Sequence, residues 1–297
     1  LLRGDEAFLR RELTVFIVFA GAVLGIAWFC KANQYSGNRV TDTNSTLQID
    51  IGSAGDVDLT IVYDNNFYNP ELEAAWGFAC YLNTNNARIL FDTGGDSEKL
   101  LYNMEKLRIP VEDIQVIILS HIHGDHTGGL FAVLERNHHV EVYVPASFPE
   151  DFKSKTKRFG CRLVEVEGSM KICEGVITTG ELGSGIKEQS LVVNSSRGLI
   201  VVTGCAHPGI ANIIEKAVEL TDTKVYLVIG GFHLSGSSKK EIAAVVERFK
   251  YLNVTKVAPC HCSGDLARYI FKKSFGTNYI DAGVGRNLMI KAHRVDC

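Results

Sequence analysis

The chain has 297 residues, 46% hydrophobic and 22% charged, with a formal net charge of −3 at pH 7. That composition is ordinary for a globular protein and excludes a disordered or collagen-like chain. The slight acidity argues against a broad nucleic-acid surface, which is normally basic.

Residues 13–30 carry no charged side chain, a run at the short end of what spans a bilayer as a helix. Arg10 and Arg11 precede it, which favours an inside N-terminus, while Lys31 and Arg39 weaken that bias. Residues 1–30 are therefore expected to be a membrane anchor or signal segment, making the protein membrane-anchored or exported. A cleaved signal peptide and a buried core helix are the alternatives. Because the chain begins with Leu1, a different start and a cytoplasmic protein is another. Residues 31–57, rich in Asn, Ser, Thr and Gly, read as a linker. Residues 58–297 read as one catalytic domain, long enough for a single large core.

Within that domain, residues 58–65, 78–83 and 88–91 read as antiparallel strands and 97–107 as a helix. Val116-Ile117-Ile118-Leu119 reads as a buried strand, followed by a polar loop and a helix start over 127–134. Residues 140–144, 162–166 and 172–178 read as strands. Residues 190–194 and 199–203 read as a hairpin turned by Ser196-Arg197-Gly198. Helices are expected over 209–220 and 238–252, with strands over 224–229 and 257–259. Periodicity alone gives an α/β fold. The eight cysteines are scattered and show no disulfide pattern. Free buried thiols are usual in a reducing compartment, which conflicts with export.

The polar loop carries the chemistry. Residues 120–130 read Ser-His-Ile-His-Gly-Asp-His-Thr-Gly-Gly-Leu. Three of the nine histidines of the whole chain crowd into this loop with a carboxylate, which a chance surface loop rarely achieves. Imidazole and carboxylate hold zinc, iron or manganese. His121 and His123 are two apart and point the same way in extended backbone. Gly124 lets the chain turn, so that Asp125 and His126 face a second ion. Two ions about 3.5–4 Å apart would make a binuclear hydrolytic centre.

His-x-His-x-Asp-His after a strand resembles the metallo-β-lactamase superfamily, and the resemblance runs from about residue 58 to 291. Phe91-Asp92-Thr93-Gly94 looks like its first motif, an aspartate that supports the metal loop. The segments Thr203-Gly204-Cys205-Ala206-His207-Pro208-Gly209-Ile210, Gly230-Gly231-Phe232-His233-Leu234 and Pro259-Cys260-His261-Cys262-Ser263-Gly264 resemble the dihydropterin-ribofuranosylaminobenzene 5'-phosphate synthase subfamily. The resemblance implies a four-layer αββα sandwich, here preceded by a hydrophobic N-terminal helix.

It also implies distant ligands. The strand end after residue 202 usually carries a bridging aspartate, sometimes a cysteine, and Cys205 stands there. The separate histidine usual before that strand is missing; Lys187-Glu188-Gln189-Ser190 stands in its place. His207 is therefore expected to replace it, with Cys205 a ligand or a neighbour. The alternative for His207 is a helix-start residue before Pro208-Gly209. His261 looks like the last ligand. Side chains alternate across extended backbone, so the thiols of Cys260 and Cys262 are expected to point away from His261 and to serve packing rather than ligation. The expected metal set is His121, His123, Asp125, His126, Cys205, His207 and His261. Asp125 and His233 are the catalytic candidates, with a structural role for His233 equally open. His138, His139 and His293 receive no role.

A pair of divalent ions, zinc with iron or manganese as alternatives, lowers the pKa of bound water to about 7 and suits ester or phosphoester hydrolysis. No Gly-x-Ser-x-Gly elbow or Walker loop supports another mechanism. The resemblance also implies a transferase that joins an arylamine to a dihydropterin methyl group as pyrophosphate leaves. Either way the partner is a small phosphorylated or ester-type substrate, not nucleic acid. A membrane-tethered, non-catalytic sensor of the same fold is the second class, and the full ligand set argues against it.

Overall fold

A computed structural model describes residues 48–292. The expected N-terminal helix over 13–30, most of the expected linker, and His293 lie outside the described residues. Among the described residues no helix is long and apolar enough to cross a membrane.

In chain order the first half comprises β1 (Val57–Asp64), β2 (Phe78–Thr84), β3 (Arg88–Phe91), α1 (Ser97–Lys106), β4 (Val116–Ile118), α2 (Gly124–Thr127), α3 (Leu130–Arg136), β5 (Glu141–Pro145), α4 (Glu150–Lys157) and β6 (Arg162–Val166). The second half comprises β7 (Met170–Cys173), β8 (Val176–Thr178), β9 (Leu191–Ser195), β10 (Gly198–Thr203), α5 (Ile210–Thr221), β11 (Val225–Gly231), α6 (Lys239–Tyr251), β12 (Lys256–Cys260), α7 (Asp265–Phe275) and β13 (Asn287–Ile290). Sheet one runs β13-β1-β2-β3-β4-β5-β6 and sheet two β12-β11-β10-β9-β8-β7.

Strand periodicity explains the layering. Successive side chains point to opposite faces, so a strand buried on both sides reads as continuously apolar. In β10, Ile200 and Val202 enter the core between the sheets, with Phe91 and Ile118 of sheet one. Leu199 and Val201 face the other way, against Ile213, Ile214 and Phe249 of α5 and α6. On sheet one, Leu90 and Ile117 meet Leu100, Met104 and Leu130 of α1 and α3. Three apolar layers thus separate four layers of secondary structure, in the expected αββα order.

Strands β3 and β4 are parallel, as are β10, β11 and β12. Their carboxyl ends gather at one rim, where α/β sheets place their chemistry.

The expected single strand over 172–178 is instead a hairpin: β7 and β8 pair antiparallel across Glu174-Gly175. Its apolar residues suit either geometry, and the lone glycine gave the turn no sequence emphasis. The helix α4 was not expected either, because its sequence EDFKSKTK buries only Lys153 and Thr156. Residues 48–56, within the expected linker, bond to the body: Ile49 N–H to Leu220 O at 2.8 Å, and Gly175 N–H to Ile51 O at 2.7 Å.

Candidate metal centre

Sheet one supplies one side of the rim as a continuous loop. Asp92, just past β3, is fully buried. Its Oδ1 accepts the Ser120 N–H at 2.7 Å and its Oδ2 accepts the Ser120 hydroxyl at 2.7 Å. The same Oδ2 lies 2.7 Å from His126 Nδ1. One carboxylate therefore holds both ends of the loop, the supporting role expected from the first motif. Ser120 Oγ in turn lies 2.8 Å from His121 Nδ1. The turn after His123 is the helical turn α2, which starts at Gly124 with open space where a Cβ would be. Helical hydrogen bonding, rather than glycine's conformational freedom, reverses the chain there.

Sheet two supplies the other side from three strand ends: Cys205 and His207 after β10, His233 after β11, and His261 after β12. Backbone at Ala206, His233 and His261 is left-handed, with φ of 63°, 51° and 46°, as it is at Asp92 with 59°. Such non-glycine conformations cost about 1–3 kcal/mol each and concentrate at functional sites. Gly204 lets the two sheets meet, since a Cβ there would collide with Ser120 Oγ.

Glu188 organises the β10 end. Its Oε1 accepts the N–H groups of Cys205 and Ala206 at 3.0 and 2.8 Å. Its Oε2 accepts the His207 N–H at 2.8 Å and lies 2.9 Å from His207 Nδ1. At the β12 end, His261 N–H donates to Asp64 Oδ2 at 3.0 Å, and His261 Nδ1 lies 2.9 Å from Asn65 Oδ1.

These bonds fix what the imidazoles offer. With Nδ1–H donated to Ser120, Asp92 and Glu188, the Nε2 atoms of His121, His126 and His207 carry lone pairs, while His261 Nε2 lies against the Asp125 carboxylate. His126 Nε2 faces His261 Nε2 at 3.2 Å, and His121 Nε2 lies 3.1 Å from His123 Nδ1. Cys205 Sγ is 3.3 Å from His126 Nε2. Asp125 Oδ2 is 3.4 Å from His261 Nε2 and 3.7 Å from His126 Nε2. Two imidazole Nε2 atoms, a carboxylate and a thiol thus converge at one buried place. The donor set therefore fits a divalent metal, with each histidine braced through its other nitrogen.

Among the described residues three groups emerge, each with ligand atoms within 4.8 Å of one another: His121, Cys205, His207; His126, Cys205, His261; and Cys205, His233, Cys262. Cys205 belongs to all three. His123 adjoins the first group and Asp125 the second.

Two of the imidazoles are held neutral: burial pushes His121 down to about 2 and His126 down to about 3. His261 moves up instead, because its bond to Asp125 and the charges around it outweigh its burial. Burial would raise Glu188, but the hydrogen bond from His207 and the backbone N–H groups of Ala206 and His207 hold it down at about 2. Burial would likewise raise Asp125, and its bond to His261 overrides this and keeps it ionised. The Cys205–Cys262 hydrogen bond lowers Cys262 and raises Cys205, so the pair favours one thiolate beside one thiol.

The structure brings all seven expected metal residues to this rim. His233 is exposed at its edge, its ring centroid 4.5 Å from that of His207. His138 and His139 are exposed in the turn before β5. One expectation is corrected. Cys260 points into the core, but Cys262 does not merely pack, because its Sγ lies within 4.8 Å of ligand atoms of Cys205 and His233. The alternation argument fails because β12 stops at Cys260 and His261–Ser263 forms a 3-10 turn. Sequence reasoning also missed Glu188 and Asn65. A glutamate heading the polar run before an apolar strand, where a histidine was looked for, was the available signal for Glu188.

The fold and this rim define the class: the chain belongs to the metallo-beta-lactamase superfamily, whose family model matches residues 77–231. Among curated relatives, the 7,8-dihydropterin-6-methyl-4-(beta-D-ribofuranosyl)-aminobenzene-5'-phosphate synthase of Methanocaldococcus jannaschii is 29% identical over 78% of this chain and 96% of its own length. Among solved structures, Tm1679, described as a metal-dependent hydrolase of the beta-lactamase superfamily, is 28% identical. It covers 79% of this chain and 99% of its own, with a TM-score of 0.68. The metallo-beta-lactamase fold protein YhfI from Bacillus subtilis shares the fold at 14% identity and a TM-score of 0.61, over 79% of this chain and 99% of its own.

Proposed function

We propose that this chain is a metal-dependent enzyme acting on a small phosphorylated substrate, by hydrolysis or by transfer with loss of a phosphorylated leaving group. The observation that carries this reading is the convergence of His121, His126, His207 and His261 on the buried Cys205 thiol, which is common to both groups built on two histidines. His121, His123, His207 and Cys205 would hold one divalent ion, and Asp125, His126, His261 and Cys205 a second, zinc with iron or manganese as alternatives. Such ions supply a Lewis acid for a phosphoryl group and a nucleophile at neutral pH.

The protein's own residues do the rest. Asp92 and Glu188 hold the imidazoles in the tautomer that turns Nε2 inward. Asp125, half-buried and ionised, accepts a proton from the attacking group. His233, exposed beside His207, donates one to the leaving group. The synthase relative supports a phosphorylated substrate, and the activity in its name favours transfer; the hydrolase relative favours attack by water. A binding module does not need ligands on both halves, so the enzyme reading stands above the sensor.

The test is turnover of bis(4-nitrophenyl) phosphate by the full chain, with and without chelator. A parallel assay follows diphosphate release from a dihydropterin-methyl diphosphate with and without an arylamine. Chelator-sensitive turnover in either is expected. Turnover that survives complete metal removal would sink the proposal.

A further inference from the structure

The segment between β1 and β2 is tied down along its length. Asn103 of α1 bonds both the N–H and the carbonyl of Glu73, each at 2.8 Å, and Ala75 N–H reaches Asp64 O at 3.2 Å. Its last residue before Gly77 is Trp76. Gly77 allows that backbone to lie against the metal loop, since a Cβ there would collide with the Asp125 carbonyl. The indole is thereby set on His261, ring centroids 4.9 Å apart and planes tilted by 55°, yet remains 58% exposed.

An exposed aromatic alone needs no explanation. What distinguishes Trp76 is a fixed backbone and a ring resting on a candidate ligand while most of its surface stays open. Rigid aromatics beside a few placed polar groups are how pockets orient small ligands. An indole face attracts either a cation or another planar ring. The adjoining candidate ions already attract the negative part of a substrate, which leaves a planar ring for the indole.

We infer that Trp76 is a stacking platform, the residue that holds the planar ring of a phosphorylated substrate beside the metal site. This rests on the phosphorylated-substrate reading above. Ring and phosphate would be recognised side by side, the ring on Trp76 and the phosphate toward the half of the site formed by Asp125, His126 and His261.

Calorimetric titration of the metal-loaded full chain with phenyl phosphate and methyl phosphate tests this, with metal content measured in parallel. The unmodified protein should bind phenyl phosphate roughly tenfold more tightly, the scale of one stacking contact. Trp76→Ala should erase that preference while methyl phosphate binding and metal content stay unchanged. Trp76→Phe should keep most of it. No preference in the unmodified protein, or a preference that survives Trp76→Ala, overturns the inference. So does loss of metal from Trp76→Ala, which would make the indole a brace for His261. Binding is read without turnover. A protein that shows the preference yet turns over no phosphate compound sinks the reaction alone, and one that turns them over without the preference sinks this inference alone.

Discussion

The two sides of the centre are built on different plans. Sheet one contributes one loop, His121 to His126, whose spacing lets neighbouring residues reach one place, and a single carboxylate, Asp92, closes it at both ends. Sheet two contributes three strand ends with no sequence proximity to one another. There the backbone is left-handed at Ala206, His233 and His261, and the braces come from elsewhere: Glu188 before β9, and Asp64 and Asn65 at the end of β1. Residues close in sequence are placed by local backbone geometry. Residues far apart need buried carboxylates, whose unpaired burial would be costly and whose bonds therefore select one arrangement.

The largest effect should come from removing a ligand on either side. His123→Ala and His261→Ala should each reduce activity to background with native-like circular dichroism; near-normal rates in both would refute the ligand assignment. Next comes the residue common to both sides. Cys205→Ser should weaken both ions, whereas His207→Ala should release only one. Metal stoichiometry separates them, and a Cys205→Ser protein that keeps both ions would make the thiol a mere neighbour. Cys205→Asp should retain more activity than Cys205→Ser, since a carboxylate can also bridge.

The braces should matter less than the ligands, each costing about 10–100-fold in metal affinity when removed. Asp92→Asn should affect His121 and His126 together, and Glu188→Gln the His207 ion alone. Competitive chelator titration would read the difference, and equal loss of both ions in Glu188→Gln would erase the distinction between the sides. Cys262→Ser should be mildest, within a few-fold, because this thiol meets Cys205 and His233 but neither of the groups built on two histidines; loss of an ion would promote it to ligand.

The same contrast explains what was legible in the sequence. The α/β class and the loop could be read because strand periodicity and ligand spacing are local signals, whereas the four-layer order came only with the family resemblance. Cys205, His207 and His261 could be located only through resemblance to a family pattern. Glu188 and Asn65 went unread because their roles exist only when distant strand ends meet. Cys262 was misread because alternation assumes extended backbone, and the chain leaves that conformation at His261, where φ is 46°. The split of residues 170–178 into β7 and β8 was hidden for a plainer reason, a short apolar run interrupted only by Glu174-Gly175.

The central claim is that the two sides share Cys205 and together hold a pair of ions. Elemental analysis of the full chain purified without chelator tests it directly. The account predicts about two divalent ions per chain, falling to about one in His207→Ala and in His261→Ala. A protein that carries no metal as purified and is fully active would contradict it.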